Sequence, residues 1–146
     1  MTEAERSQLV SRPVLLYDGV CVLCNGVVHF LLRRDAQGVF RFVPLQSPLG
    51  TELLAAPSQL DGVILLTETL TAAQKIHYRS DAVASALGIL GGRWAILGRT
   101  LRLIPRPLRE FGYGLIARVR YRLFGRYTTC PIPSPSERSR ILGLDQ

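Results

Sequence analysis

Cys21 and Cys24 are the residues of this chain best suited to chemistry. They stand three positions apart in Leu16-Tyr17-Asp18-Gly19-Val20-Cys21-Val22-Leu23-Cys24. Such a pair can exchange disulfides: one thiolate attacks a disulfide sulfur, and the second displaces the mixed disulfide that results. The motif alone is moderately specific, and its surroundings sharpen it. Val14-Leu15-Leu16-Tyr17 is a short apolar run stopped by Asp18-Gly19, which reads as a buried strand and a turn. From Cys21 the period changes, and Val22, Leu23, Val27, Val28, Phe30, Leu31 and Leu32 form a helical stripe. Cys21 therefore stands where a helix begins. Unpaired first-turn amides and the positive end of the helix dipole favour thiolate over thiol there. Cys21 is expected to attack and Cys24, nearly one turn on, to resolve. Cys24 is also expected to be the more buried of the two, because Val27 and Val28 belong to the packed stripe.

Asp18 has two readings. It can hold the bend as an Asx turn or helix cap, or its carboxylate can take the Cys24 proton during resolution. Gly19 reads as the residue that allows positive φ in the bend. Cys130 reads as a free thiol, or as an auxiliary thiol if the C-terminal segment folds back beside Cys21. Structural zinc needs four ligands. Only Cys130, His29 and His77 could join the pair, at spacings that fit no standard zinc module, so neither metal nor another cofactor is expected. His77 alternates within a strand and reads as a surface position. Ser80 reads as the cap of a helix in Arg79-Ser80-Asp81, with Arg79 free to hold a substrate carboxylate or the thiolate.

The elements that must position these groups follow from periodicity. Strands over 14–17 and 39–43, the second closed by Pro44, flank the Cys-bearing helix, which ends in Arg33-Arg34-Asp35. A strand–helix–strand unit of this length makes the two strands parallel. A short helix over 47–57 is capped by Ser47 with Pro48 at its first position. Strands over 62–67 and 75–79 form an antiparallel hairpin. A helix capped by Ser80-Asp81 then runs to Leu90 and stops at Gly91-Gly92. Two further helices, 94–104 and 108–124, are separated by Pro105-Arg106-Pro107, and a last turn falls at 137–142. Residues 1–12 read as a flexible leader, and 13–146 as one domain with a helical extension over 93–146. Trp94 and the aromatics Phe111, Tyr113, Tyr121, Phe124 and Tyr127 interleave with arginine, and the apolar spacing at Leu108, Phe111, Leu115, Ile116 and Val119 is that of a helix packed on the domain. A membrane or partner surface is the alternative.

The 146 residues are 47% hydrophobic with a net charge of +7, which excludes a disordered tail. Lys75 is the only lysine, and nine arginines lie between Arg93 and Arg126 against one acid, Glu110. That local charge reads as a solvated helical face, with an anionic membrane surface or an acidic protein as alternatives. Nucleic acid is least favoured, because no reading motif accompanies the charge. No apolar run approaches the roughly 18 residues of a membrane span, and the polar start is unlike a secretory signal. A cytoplasmic protein, peripheral to the membrane if the basic face binds it, is the expectation. Three cysteines in such a setting argue against a structural disulfide framework.

With the motif in place, the chain resembles the DCC family of predicted thiol–disulfide oxidoreductases, whose Asp and two Cys are matched by Asp18, Cys21 and Cys24. Further blocks carry the likeness: Arg33-Arg34-Asp35, Arg41-Phe42-Val43-Pro44-Leu45-Gln46-Ser47, Tyr78-Arg79-Ser80-Asp81-Ala82, Leu103-Ile104-Pro105-Arg106-Pro107-Leu108-Arg109, Arg120-Tyr121-Arg122-Leu123-Phe124-Gly125-Arg126 and Cys130-x-x-Pro133. The resemblance implies a thioredoxin-like three-layer α/β/α fold with a four-stranded mixed sheet and a helical C-terminal addition. It also implies dithiol–disulfide activity on a protein or low-molecular-weight disulfide, reset by a cellular thiol reductant. Asp61-Gly62 stands where thioredoxins carry a cis-proline facing the dithiol, so a thioredoxin-type peptide groove is not part of that implication. A non-catalytic module, docking or sensing through its Arg-rich helices, is the competing expectation.

Overall fold

The computed structural model describes residues 2–19, 21–35, 37–45, 47–54, 63–123 and 140–142. The described elements are α1 (Glu3–Leu9), β1 (Val14–Tyr17), α2 (Val22–Arg34), β2 (Arg41–Pro44), α3 (Pro48–Leu54), β3 (Val63–Thr67), β4 (Lys75–Tyr78), α4 (Arg79–Leu90), α5 (Gly92–Leu103) and α6 (Arg106–Leu123). The strands lie in the order β2-β1-β3-β4. β1 runs parallel to β2, as the α2 crossover requires, and antiparallel to β3, which pairs antiparallel with β4.

Every residue of β1 is buried because both faces of the sheet are covered. Leu15 and Tyr17 join Cys24, Val28 and Leu31 of α2 and Ala82 and Ala86 of α4 in one core. Val14 and Leu16 join Leu9 of α1 and Leu49 and Leu53 of α3 in the other. The result is the three-layer, thioredoxin-like arrangement with a mixed four-stranded sheet. Ser47 caps α3 as expected, accepting from the Gly50 amide at 3.1 Å and donating to Pro44 O.

Several local readings are corrected. The leader is not loose through its length. α1 carries a capping box between Thr2 and Glu5, and its Leu9 is wholly buried. β2 starts at Arg41 rather than Val39, because the Val39 and Phe40 amides donate to the Asp35 carboxylate at 3.0 and 2.9 Å. Pro44 closes the strand as its last residue. α4 begins at Arg79 with Tyr78 as its cap and no side-chain bond. Ser80 does not cap it, since its hydroxyl donates to Glu110 of α6. α6 starts at Arg106, with Pro107 inside the first turn, where a missing amide proton costs little.

The chain beyond α6 is described only at Arg140–Leu142. Ile141 bridges to Phe42 in parallel register, and the Phe42 amide donates to Arg140 O at 2.9 Å. Arg140 also pairs with the buried Asp35 at 3.3 Å. The C-terminal end is thereby fixed to the outer edge of the sheet beside β2. Among the described residues no helix is long and apolar enough to cross a membrane.

Candidate active site

The strand β1 ends at Tyr17, whose buried side chain and whose carbonyl, accepting from the Leu45 amide at 2.7 Å, fix where the chain leaves the sheet. A tight turn follows, closed by the Cys21 amide donating to Asp18 O at 3.2 Å. Cys21 is itself the helix cap. Its backbone is extended (φ −83°, ψ 124°), and its sulfur accepts from the Cys24 amide at 3.4 Å. Asp18 therefore does not cap α2. It lies buried at the start of the bend, 6% exposed. A first-turn amide is thus aimed at the Cys21 sulfur at the mouth of the helix.

Both cysteines are reduced and buried, one turn apart. Their order of exposure reverses the expectation. Cys21 is 0% exposed and Cys24 4%. Cys21 lies within the core cluster that includes Leu15, Tyr17 and Phe42, so the cap of the helix is enclosed rather than presented.

Asn25 escaped the reading of the sequence. It is buried, and its Nδ2 donates to Gly19 O and to Cys21 O, both at 2.9 Å. One side chain thus clamps the bend to the first turn of α2 and holds Cys21 in place. The available signal was a polar residue inside an otherwise apolar helical stripe, four positions after Cys21. Gly19 serves the bend through this carbonyl; the positive-φ glycines among the described residues are Gly38, Gly91 and Gly92.

The residues expected to flank the pair divide. Ser80 and Cys24 border one cleft, together with residues of α5 and α6. Asp81 pairs with Arg106 at 2.5 Å and Arg109 at 3.0 Å. Ser80 and Asp81 therefore fasten α6 onto α4, and Glu110, the lone acid among the nine arginines, answers Ser80 from the other side. Arg79 opens α4, and its side chain lies outside the described part, as do Cys130 and Asp61-Gly62. His29 is half-buried on α2. His77, expected at the surface, is also half-buried. Its Nε2 stands 3.5 Å from Thr67 Oγ1, and desolvation, with Arg102 second, pushes its pKa below the usual histidine value. No group of three His, Cys, Asp or Glu placed to hold a metal occurs among the described residues.

The apolar set expected to pack α6 onto the domain does so only in part. Phe111 is 73% exposed and Leu108 64%, with Leu115 and Ile116 more than half exposed. The face that α6 turns to the cleft carries Arg109, Gly112 and Tyr113 with Leu108 and Ile116 at its rim, and the Tyr113 hydroxyl accepts from the Val63 amide at 3.1 Å. Trp94 does pack as expected, edge-on to Phe30 of α2 with ring centres 4.9 Å apart, and the Arg34 guanidinium lies over the Phe30 ring at 4.0 Å.

Comparison with known proteins agrees with this geometry. The chain is 34% identical over 140 residues to the uncharacterized protein YuxK of Bacillus subtilis, covering 93% of this chain and 98% of that one. It is 34% identical over 125 residues to a chloroplastic DCC family protein of Arabidopsis thaliana, covering 83% and 70% respectively. No solved structure matches it. The model of the DCC1-like thiol–disulfide oxidoreductases matches residues 15–126, from the first strand through the cysteine pair to the end of the Arg-rich helices, and the chain belongs to that family.

Proposed function

We propose that the chain exchanges disulfides through Cys21 and Cys24, with Cys21 supplying the attacking thiolate and Cys24 resolving. The partners are a protein or low-molecular-weight disulfide and a cellular thiol that resets the pair. The observation that carries this reading is the Cys24 amide bonded to the Cys21 sulfur at the helix cap. Attack joins the Cys21 sulfur to one substrate sulfur and releases the other as a thiolate. The Cys24 thiolate then displaces the second, leaving a Cys21–Cys24 disulfide and two substrate thiols. Asp18, buried at the start of the bend, is the group proposed to take the Cys24 proton.

Trapping tests the order of events. In a Cys24→Ser chain the mixed disulfide is expected to accumulate on Cys21, read by mass spectrometry of intact protein and peptides. Adducts that form only on Cys24, in a Cys21→Ser chain, reverse the two roles, as the slightly greater exposure of Cys24 would favour. Adducts on neither cysteine defeat the reading.

One observation favours a second reading, in which the domain docks on an anionic lipid surface. Leu108, Phe111 and Leu115 follow the helical period along the exposed side of α6, and Arg118 and Arg122 continue the same strip. Leucine and phenylalanine beside arginine suit a lipid interface. Binding to vesicles containing phosphatidylglycerol that weakens with salt supports this. No binding at low salt removes it.

A further inference from the structure

Asn25 directly follows Cys24 in the first turns of α2, on the buried side that Val28 and Leu31 share. Asparagine favours a helix less than alanine does, and a buried amide without partners is costly. Its presence there is explained by the bonds it makes. Nδ2 carries two N–H groups and meets two carbonyls, Gly19 O and Cys21 O, each at 2.9 Å. Exchanging Nδ2 with Oδ1 would set an oxygen against both carbonyls, so the amide has one orientation.

Those carbonyls lie on either side of Cys21 along the chain. The Cys21 carbonyl also accepts from the Asn25 backbone amide at 3.0 Å, so one residue fills both of its lone pairs. The Cys21 amide is tied as well, donating to Asp18 O at 3.2 Å. With the chain held before and after it, Cys21 keeps the extended backbone that turns its sulfur to the Cys24 amide at 3.4 Å. Resolution depends on that aim. The Cys24 sulfur must meet the Cys21 sulfur in line with the bond that breaks, and a misplacement of about 1 Å can slow such a step about a hundredfold.

We propose that Asn25 is a positioning residue for the resolving step, its two side-chain bonds holding the Cys21 sulfur where Cys24 can displace the substrate from it. The proposal rests on the exchange reading of Cys21 and Cys24 and adds a residue to it. In that step the Cys24 thiolate attacks the Cys21 sulfur of the mixed disulfide. The Cys21–Cys24 bond forms, and the bond to the substrate sulfur breaks, its electron pair leaving on a substrate thiolate. Over the whole exchange the cysteine pair gives up two electrons and two protons, and the substrate disulfide becomes two thiols.

The test mixes the reduced full chain with oxidised glutathione, quenches in acid and follows intact mass, with peptide mapping to place the adduct. Appearance of the adduct on Cys21 reports attack, and its conversion to the internal disulfide reports resolution. Asn25→Ala removes both side-chain bonds while improving helix propensity. Its adduct is expected to form at least as fast as in the unsubstituted chain and to resolve about ten- to a hundredfold more slowly, so that it accumulates. Asn25→Ser keeps a bond to the carbonyl four residues back, as serine does in helices, and loses the one to Gly19 O. It is expected to accumulate adduct too, and it carries the test should the alanine variant fail to fold. Gly98→Val controls for lost stability: a Cβ at Gly98 would stand 2.8 Å from Ala84 O, away from the pair, and this variant is expected to resolve at the unsubstituted rate.

An adduct that resolves at the unsubstituted rate in a folded Asn25 variant overturns this inference and leaves the exchange reading in place. So does an equal slowing of attack and resolution, or the same slow resolution in Gly98→Val, since either makes the effect one of stability. Neither adduct nor internal disulfide in the unsubstituted chain overturns the proposed function and this inference together.

Discussion

The sheet with its four covering helices and the two helices that follow it use apolar residues in opposite ways. In the first region apolar side chains go inward on both faces of the sheet: Phe40, Phe42, Leu15, Leu16 and Leu65 are almost wholly buried. In α5 and α6 the equivalent residues stay at the surface, Leu103, Leu108, Phe111 and Leu123 all more than 60% exposed. What fixes α6 is largely polar: Ser80 to Glu110, Asp81 to Arg106 and Arg109, and Tyr113 to Val63. The difference teaches that α5 packs onto the domain through Trp94 and Gly98, whereas α6 is seated largely by pairing, which leaves one side of it available and a cleft beneath it.

Substitutions that match in chemistry but differ in region sharpen this contrast. Phe42→Ala removes a wholly buried ring and is expected to cost about 3–5 kcal/mol in chemical denaturation, whereas Phe111→Ala is expected to stay within about 0.5 kcal/mol. Equal losses would mean that Phe111 is covered in solution. The joint between the regions comes next. Gly98 of α5 lies so close to α4 that a Cβ there would stand 2.8 Å from Ala84 O. Gly98→Val is expected to cost about 1–3 kcal/mol by overpacking. A neutral effect would show that α5 does not hold this close approach.

The smallest effect concerns His77. Burial, with Arg102, disfavours its charged form in the folded chain. The unfolded chain then takes up the proton first as pH falls below about 6.5, so stability declines toward acid. His77→Gln is expected to flatten the dependence of the unfolding midpoint between pH 7 and 5. An unchanged slope would assign the acid sensitivity to other groups.

The strands, the Cys-bearing helix and the parallel and antiparallel pairings were legible because apolar period and turn residues are local signals. Ser47 could be read as a cap because proline follows it. Ser80 had the same residue type before a helix, but its hydroxyl is spent on Glu110, thirty positions away, and no local pattern carries that. The leader failed for a similar reason, since only the core beneath it makes Leu9 a buried anchor. On α6 the most exposed apolar residues, Phe111 and Leu115, lie away from the contacts that Arg109 and Tyr113 make. Period alone cannot tell an inward apolar strip from an exposed one when arginine, glycine and tyrosine line the buried side. The cysteines were found from spacing, but their burial order was not, because the cap position of Cys21 is closed over by side chains from other elements.

Controlled oxidation of the full chain, followed by peptide mapping, tests the central claim most directly. Equilibration in glutathione buffers of increasing oxidation is expected to join Cys21 to Cys24 within one chain, reversibly, with each state recovered when the buffer is changed back. Linkages confined to Cys130, or a Cys21–Cys24 pair that stays reduced throughout, would contradict the account.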